Sequence, residues 1–140
     1  MKRITASFLF AFAGIVGTSA ALAQEHPIRA TVPFSFTVGS KQLPAGAYSI
    51  TPASDDAIEI RNRDAHFAIL SAVSSDSEQP SKGAQLVFNK YGDQYFLREV
   101  LGGPAAVNAS LPASKSEDRA RHQQTMAENH SQISIPAQGF

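Results

Sequence analysis

Strict alternation of apolar and polar residues over residues 28–38 constrains the fold of this chain more than any other feature. A period of two sustained over this length is typical of a β-strand with one buried face. Pro33 lies among the outward residues and has no N–H to donate, so we expect a sheet edge or a bulge there. The apolar, inward set comprises Ile28, Ala30, Val32, Phe34, Phe36 and Val38.

Further strands are predicted up to residue 103. Turn residues separate short alternating segments at residues 47–51 and 58–60. Residues 66–73 are apolar on both faces, which favours a central strand. Residues 85–90 and 94–101 flank the turn Tyr91-Gly92-Asp93 and predict a hairpin. We expect the large inward side chains to form one core, consisting of Phe34, Phe36, Tyr48, Ile69, Leu86 and Phe88.

The C-terminal part of the chain predicts one helix and one strand. Ser114 and Glu117 have the spacing of a capping box, which favours a helix over residues 115–128. Ile133 and Ile135 alternate with serines and predict a last strand that pairs at a sheet edge. The predicted fold is therefore mainly β, a small antiparallel β-sandwich or partly closed barrel with one C-terminal helix. Its β-domain spans residues 27–103, and residues 104–140 hold a linker, the helix and the possible last strand.

The first 23 residues predict a secretory signal peptide. A basic start at Lys2 and Arg3 precedes an apolar run over residues 8–17, and Ala21-Leu22-Ala23 suits a signal peptidase. The apolar run is shorter than the roughly 20 residues that a permanent membrane span needs. We therefore expect an exported protein, periplasmic or extracellular, with no transmembrane segment in its mature part.

Composition excludes several functional classes. Twelve basic residues balance twelve acidic ones among 140 residues, so the chain lacks the positive charge that a dedicated nucleic-acid binder carries. The chain contains no cysteine, which excludes disulfides, thiolate metal sites and cysteine nucleophiles. No spacing typical of a serine hydrolase, a zinc protease or a phosphate-binding loop occurs.

Candidate site residues are few. Tyr91, Asp93 and Tyr95 at the predicted hairpin mix aromatic and polar groups, as recognition surfaces do, although local packing of the tyrosines is the competing explanation. Cleavage after Ala23 would make His26 the third residue, where the new amine, two amides and the imidazole suit copper(II) or nickel(II). Cyclisation of the N-terminal glutamine would remove that amine.

Two other sets of residues have less specific chemistry. Four carboxylates lie close together in sequence, but they lack the spacing of an EF-hand and fit a solvated turn better than a weak calcium site. They are Asp55, Asp56, Glu59 and Asp64. His66 is the histidine within the predicted β-region, and we expect it at the start of a strand rather than as a catalytic base.

Three segments resemble a group of small exported bacterial proteins of unassigned function. They are residues 32–39 (VPFSFTVG), residues 41–48 (KQLPAGAY) and residues 91–97 (YGDQYFL). The resemblance covers about residues 30 to 101 and continues weakly through residues 111–115. It implies a signal peptide, a compact β-domain and a charged helical tail, and it assigns no catalytic or binding residue.

The sequence thus favours an exported, non-enzymatic binding or structural module that needs no cofactor. An envelope protein or a glycan is the expected partner, and nucleic acid is not. The alternative is a small hydrolase or a weak metal-dependent activity.

Overall fold

The computed structural model describes residues 27–74, 83–103, 108–124 and 130–138. The predicted signal peptide and His26 lie outside these residues. Ten strands and one helix are present among them. In chain order they are β1 (Ile28–Val32), β2 (Phe36–Val38), β3 (Lys41–Leu43), β4 (Gly46–Ser54), β5 (Ala57–Asn62), β6 (Ala68–Ala72), β7 (Gln85–Tyr91), β8 (Gln94–Leu101), β9 (Ala109–Ser110), α1 (Lys115–Gln124) and β10 (His130–Pro136).

The strands form two sheets, which confirms the mainly β prediction and gives a sandwich rather than a closed barrel. The first sheet has the order β1-β4-β5-β6 and is antiparallel throughout. The second has the order β10-β7-β8-β2-β3, with β9 paired to β8. Its β2–β8 contact is parallel, and its other pairings are antiparallel. The predicted hairpin is β7 and β8, joined at Gly92 and Asp93.

One core lies between the sheets, as predicted. Phe36, Tyr48, Leu86 and Phe88 are buried in it. Phe34 and Ile69 are half-buried and pack against the same cluster. The aromatic rings meet edge to face, a favourable arrangement. Ring centroids are 5.1 Å apart for Phe36 and Tyr48, and 5.3 Å apart for Phe36 and Phe88.

The single strand predicted for residues 28–38 is wrong in one respect, because the chain bends at residues 33–35 and changes sheet. β1 lies at the edge of the first sheet, and β2 pairs with β3 and β8 in the second. Pro33 is at the bend, where its missing N–H breaks no ladder. The alternation continues across the bend because both sheets face the same core.

The prediction of a central strand at residues 66–73 is also wrong. β6 is the edge strand of the first sheet and pairs with β5 on one side. Ala68, Leu70 and Ala72, whose side chains face away from the core, are exposed, and Leu70 retains 71% of its accessible surface. The apolar outer face that suggested a central strand is therefore left in solvent.

The predicted last strand is confirmed as β10. It pairs antiparallel with β7, from His130 opposite Tyr91 to Pro136 opposite Gln85. It thereby covers the edge of the strand that carries Leu86 and Phe88.

The helix agrees with its prediction in position, and α1 begins at Lys115 as expected. Residues 125–128, the predicted last turn, lie outside the described residues. The Ser114 hydroxyl accepts a hydrogen bond from the Glu117 N–H at 3.2 Å, which is one half of a capping box. The Glu117 side chain points into the protein instead of completing the box.

Candidate functional site

The three hairpin candidates do not share one surface. In the β7–β8 register Tyr91 is opposite Gln94, and Lys90 is opposite Tyr95. Neighbouring residues of a strand point to opposite faces, so the two tyrosines lie on opposite sides of the sheet. Asp93 is exposed at the turn between them. The register follows from a two-residue turn, so the sequence already contained the signal for this separation.

Both tyrosines are packed locally. Tyr95 is half-buried and stacks on Phe34, with ring centroids 3.9 Å apart. Tyr91 is buried and meets Phe96 edge to face at 5.9 Å, beneath Ala120 of α1. Neither ring is a free platform for a ligand.

A buried carboxylate fixes α1 on the outer face of the second sheet. Glu117 is 4% exposed, and its Oε1 accepts a hydrogen bond from Asn89 Nδ2 at 2.9 Å. The Tyr91 hydroxyl lies 3.5 Å from the same oxygen. Arg98 Nη1 is 3.6 Å from Glu117 Oε2, close enough for an ion pair but too far for a hydrogen bond. Burial first, and then the Glu117 charge, raises the pKa of Tyr91.

This cluster has a structural explanation. Its side chains hydrogen-bond or pair with one another, and they hold a short helix that buries little apolar surface of its own. We therefore assign the cluster to docking of α1 rather than to catalysis. The sequence placed Glu117 in a cap and missed its contact with Asn89, because no local spacing reports a partner in another element.

The histidine and the carboxylates do not assemble into a metal site. Among the described residues, no three side chains of histidine, aspartate or glutamate are grouped as metal ligands would be. Glu59 binds Arg61 at 2.7 Å, and Asp56 accepts the Ser54 hydroxyl at 2.7 Å. His66 is exposed before β6, with φ of 55° and its Nδ1 3.1 Å from the Arg63 carbonyl.

The open edge of β6 is the feature that structure and chemistry single out. In an antiparallel ladder, alternate residues direct their N–H and C=O groups to one neighbour, and the residues between them direct these groups away. Asn62 N donates to Phe67 O at 2.9 Å, and Val73 N donates to Asp56 O at 2.8 Å. These bonds bracket β6, so the odd-numbered residues between them bond to β5. The main-chain groups of Ala68, Leu70 and Ala72 therefore point away from the sheet.

The hydrogen bonds of Ser74 agree with main-chain groups that point away from β5 at the even-numbered residues. Ser74 is the next residue with outward main-chain groups, and it exchanges two hydrogen bonds with Ser110, at 2.8 and 3.0 Å. This bridge joins the two sheets just beyond β6. Within the described ranges, no residue pairs its main chain with the outward groups of Ala68, Leu70 or Ala72. The Ala72 carbonyl accepts one long bond, from Ser71 Oγ at 3.4 Å.

A groove of about 750 Å³ runs beside this edge. β6 forms one wall, and the turn between β2 and β3, residues 38–41, contributes another side. Leu111 and Pro112 lie next to it, following the bridge at Ser110. Two charged side chains line the groove, Lys41 and Glu59. The groove thus combines apolar side chains with a row of open main-chain donors and acceptors.

The sequence and pairing of β6 lack three devices that protect a sheet edge, namely charge, proline and a bulge. Natural edges are blunted by charged residues, prolines, bulges or a covering element. The sequence of β6 is Ala-Ile-Leu-Ser-Ala, with no charge and no proline, and its pairing with β5 is regular. An exposed leucine on such an edge favours addition of another strand.

Within the parts of the chain that the structure describes, no helix has the length and apolar character needed to cross a membrane. The chain matches no family model, no curated protein and no solved structure. Function is therefore inferred from the geometry of the chain itself.

Proposed function

We propose that this protein is an exported, non-enzymatic binding module of the periplasm or cell envelope. Its partner is a polypeptide in extended conformation, which adds as a strand to the outer edge of β6. The observation that carries the proposal is the row of outward main-chain groups at Ala68, Leu70 and Ala72 beside a groove. Strand addition satisfies such groups, and pockets for alternate side chains give specificity.

The groove supports a polypeptide rather than a small polar ligand. Small-molecule sites use a few convergent polar side chains. Here the main-chain groups of Ala68, Leu70 and Ala72 lie along one wall at a spacing of two residues, which matches the repeat of another strand. Exposed Leu70 adds an apolar contact on the outer face, and half-buried Ile69 adds one on the inner face.

Export is the other part of the proposal, and the N-terminal sequence supports it. Expression of the full chain in a bacterial host, followed by measurement of the intact mass of the mature protein, tests it. We expect a mature chain that begins at Gln24 and is recovered from the periplasm or the medium. A full-length chain retained in the cytoplasm would contradict export.

The binding edge is tested with a pair of matched proline variants. Leu70→Pro removes an outward N–H without removing a β5–β6 hydrogen bond. Thr31→Pro is the control, at the opposite edge of the same sheet. The main chain of Arg29 in β1 bonds Gln138, away from β4, so the main-chain groups of Thr31, two residues later, also point away from β4. Both variants should fold, because neither loses a ladder bond.

The assay captures proteins from envelope extract with the immobilised mature chain. We expect Leu70→Pro to lose the proteins that the natural sequence and Thr31→Pro both retain. Bound partner should also slow hydrogen exchange at the amides of Ala68, Leu70 and Ala72. Equal capture by all three chains, with no change in exchange at β6, would refute strand addition at this edge.

A further inference from the structure

We propose that the strand which adds to β6 is the β6 of a second copy of this chain, giving an antiparallel dimer centred on Leu70. This inference rests on the proposed function, since it names the partner of the same edge. It joins two four-stranded sheets into one continuous sheet about a two-fold axis.

The positions of the outward groups make β6 complementary to itself. In an antiparallel pair about Leu70, Leu70 is opposite Leu70 of the second copy, and Ala68 is opposite Ala72. All of these residues have outward main-chain groups, so each pair exchanges two hydrogen bonds, about six in total. An odd shift of register would place outward groups opposite inward ones and lose these bonds.

The side chains suit the same arrangement. Leu70 is 71% exposed on the outer face, and the pairing brings the two leucines side by side. Its neighbours in this pairing are Ala68 and Ala72, which are small enough to leave room. β6 carries no charge, so no like charges are brought together within the paired strands.

Charges at the ends of β6 favour the antiparallel orientation. Arg63 follows β5 near the Ala68 end, and Asp55 and Asp56 form the β4–β5 turn near the Ala72 end. The two-fold axis places the basic end of each copy at the same end of the joined sheet as the acidic end of the other, with three strand spacings, about 14 Å, between the two β5 strands. The attraction is therefore long-range and weakened by salt. Two nearby charges are already engaged. Glu59 neutralises Arg61, and the Asp64 carboxylate accepts the Ala47 N–H on the β4 side at 3.2 Å.

The size of the edge sets the strength of the dimer. A five-residue strand and the adjoining groove offer less area than the roughly 1,200–2,000 Å² of a standard stable interface. The dimer is therefore weak, and we expect a dissociation constant of about 1 µM to 1 mM. Sedimentation equilibrium must accordingly use protein concentrations up to several hundred micromolar, on the order of the upper limit of the expected dissociation constant.

The absence of cysteine from the chain allows a clean cross-linking test with single-cysteine variants. Leu70→Cys places two Cα atoms about 5.5 Å apart across the axis, within the range that a disulfide spans. We expect this variant to form a covalent dimer under mild oxidation. Ala68→Cys and Ala72→Cys should each form no covalent dimer alone, because equivalent atoms lie about 13 Å apart along the strand. A mixture of these two variants should cross-link.

The controls separate a specific dimer from chance collision. Asp93→Cys, exposed at the far hairpin, should form no covalent dimer under the same oxidation. Sedimentation should show Leu70→Pro as a monomer at concentrations where Thr31→Pro and the natural sequence associate. Cross-linking of Ala68→Cys as rapidly as Leu70→Cys would overturn the proposed register.

A chain that stays monomeric throughout, with no Leu70→Cys disulfide, would overturn the second copy as partner. The proposed function fails on a different result, namely that Leu70→Pro matches the natural sequence both in capture from envelope extract and in sedimentation. If Leu70→Pro loses captured proteins while the purified chain stays monomeric, β6 binds a strand of another protein.

Discussion

Replacing Phe36 with alanine should remove a large part of the stability of this domain. Phe36 is 2% exposed, and its ring meets Tyr48 and Phe88 edge to face. Truncating a buried phenylalanine costs about 3–5 kcal/mol. Each aromatic pair adds about 0.5–1.5 kcal/mol beyond its burial, so the loss should not lie at the lower end of this range. We expect about 4 kcal/mol.

Urea unfolding followed by circular dichroism measures this loss. With a slope of about 2 kcal/mol per molar urea, a loss of 4 kcal/mol lowers the midpoint by about 2 M. Since domains of this kind have a total stability of about 5–15 kcal/mol, the variant lies close to unfolding. Phe36→Leu is the matched comparison, and it should cost less than Phe36→Ala because leucine fills more of the space that the ring leaves.

The outcome that contradicts this reasoning is specific. A loss below about 1.5 kcal/mol for Phe36→Ala, with an unchanged slope, would mean that the core closes around the missing ring. If Phe36→Ala does not fold at all, Phe36→Leu still tests the placement. Its loss should then exceed that of a substitution on the exposed surface, which lies within about 0.5 kcal/mol.

Three further predictions concern the tail, the buried carboxylate and alkaline pH. A chain ending at Gly103 lacks β10 and exposes the edge of β7, so it should aggregate; a soluble monomer by ultracentrifugation would contradict this. Glu117→Ala should lower the free energy of unfolding by about 1–3 kcal/mol, less than for a fully buried pair because Arg98 reaches solvent. Asp118→Ala, at a half-buried residue with a solvent-accessible ion pair, should change it by less than about 1 kcal/mol in the same urea titration. Burial raises the pKa of Tyr48, so the folded state favours the neutral phenol. Stability should be fully present below the usual tyrosine pKa of about 10 and fall as pH rises beyond it; the fall should be smaller in Tyr48→Phe, as followed by thermal unfolding at several pH values.

The sequence predicted the strands and turns better than it predicted which strands pair with one another. Period-two alternation identified the strands, and the turn at Gly92 and Asp93 identified the hairpin. The change of sheet at Pro33 was missed because both sheets face one core, so the hydrophobic pattern passes the bend without interruption. Only the missing N–H of Pro33 marked the position, and a bulge would have explained it equally well.

The candidate site depended on information that the sequence does not hold. An apolar strand such as β6 looks the same whether a second strand of the chain or solvent lies on its outer side. Which it is depends on pairing between distant segments. The burial of Glu117 was not predicted for the same reason, since its partner Asn89 lies in another element. Local spacing reported the cap at Ser114, and it carried no signal for the long-range contact.

The bonds between Arg29 and Gln138 have a consequence for how the chain acquires its fold. Arg29 N donates to Gln138 O at 2.8 Å, and Gln138 N donates to Arg29 O at 2.7 Å. These bonds join the first strand described to residues that follow the last. Synthesis proceeds from the N-terminus, so β1 and β7 must wait for their final partners until residues 130–138 have been made. Contacts so distant in sequence form slowly. Until residues 130–138 have been made, the outer edges of β1 and β7 lack these partners, and the nascent chain is exposed to misassembly at both edges.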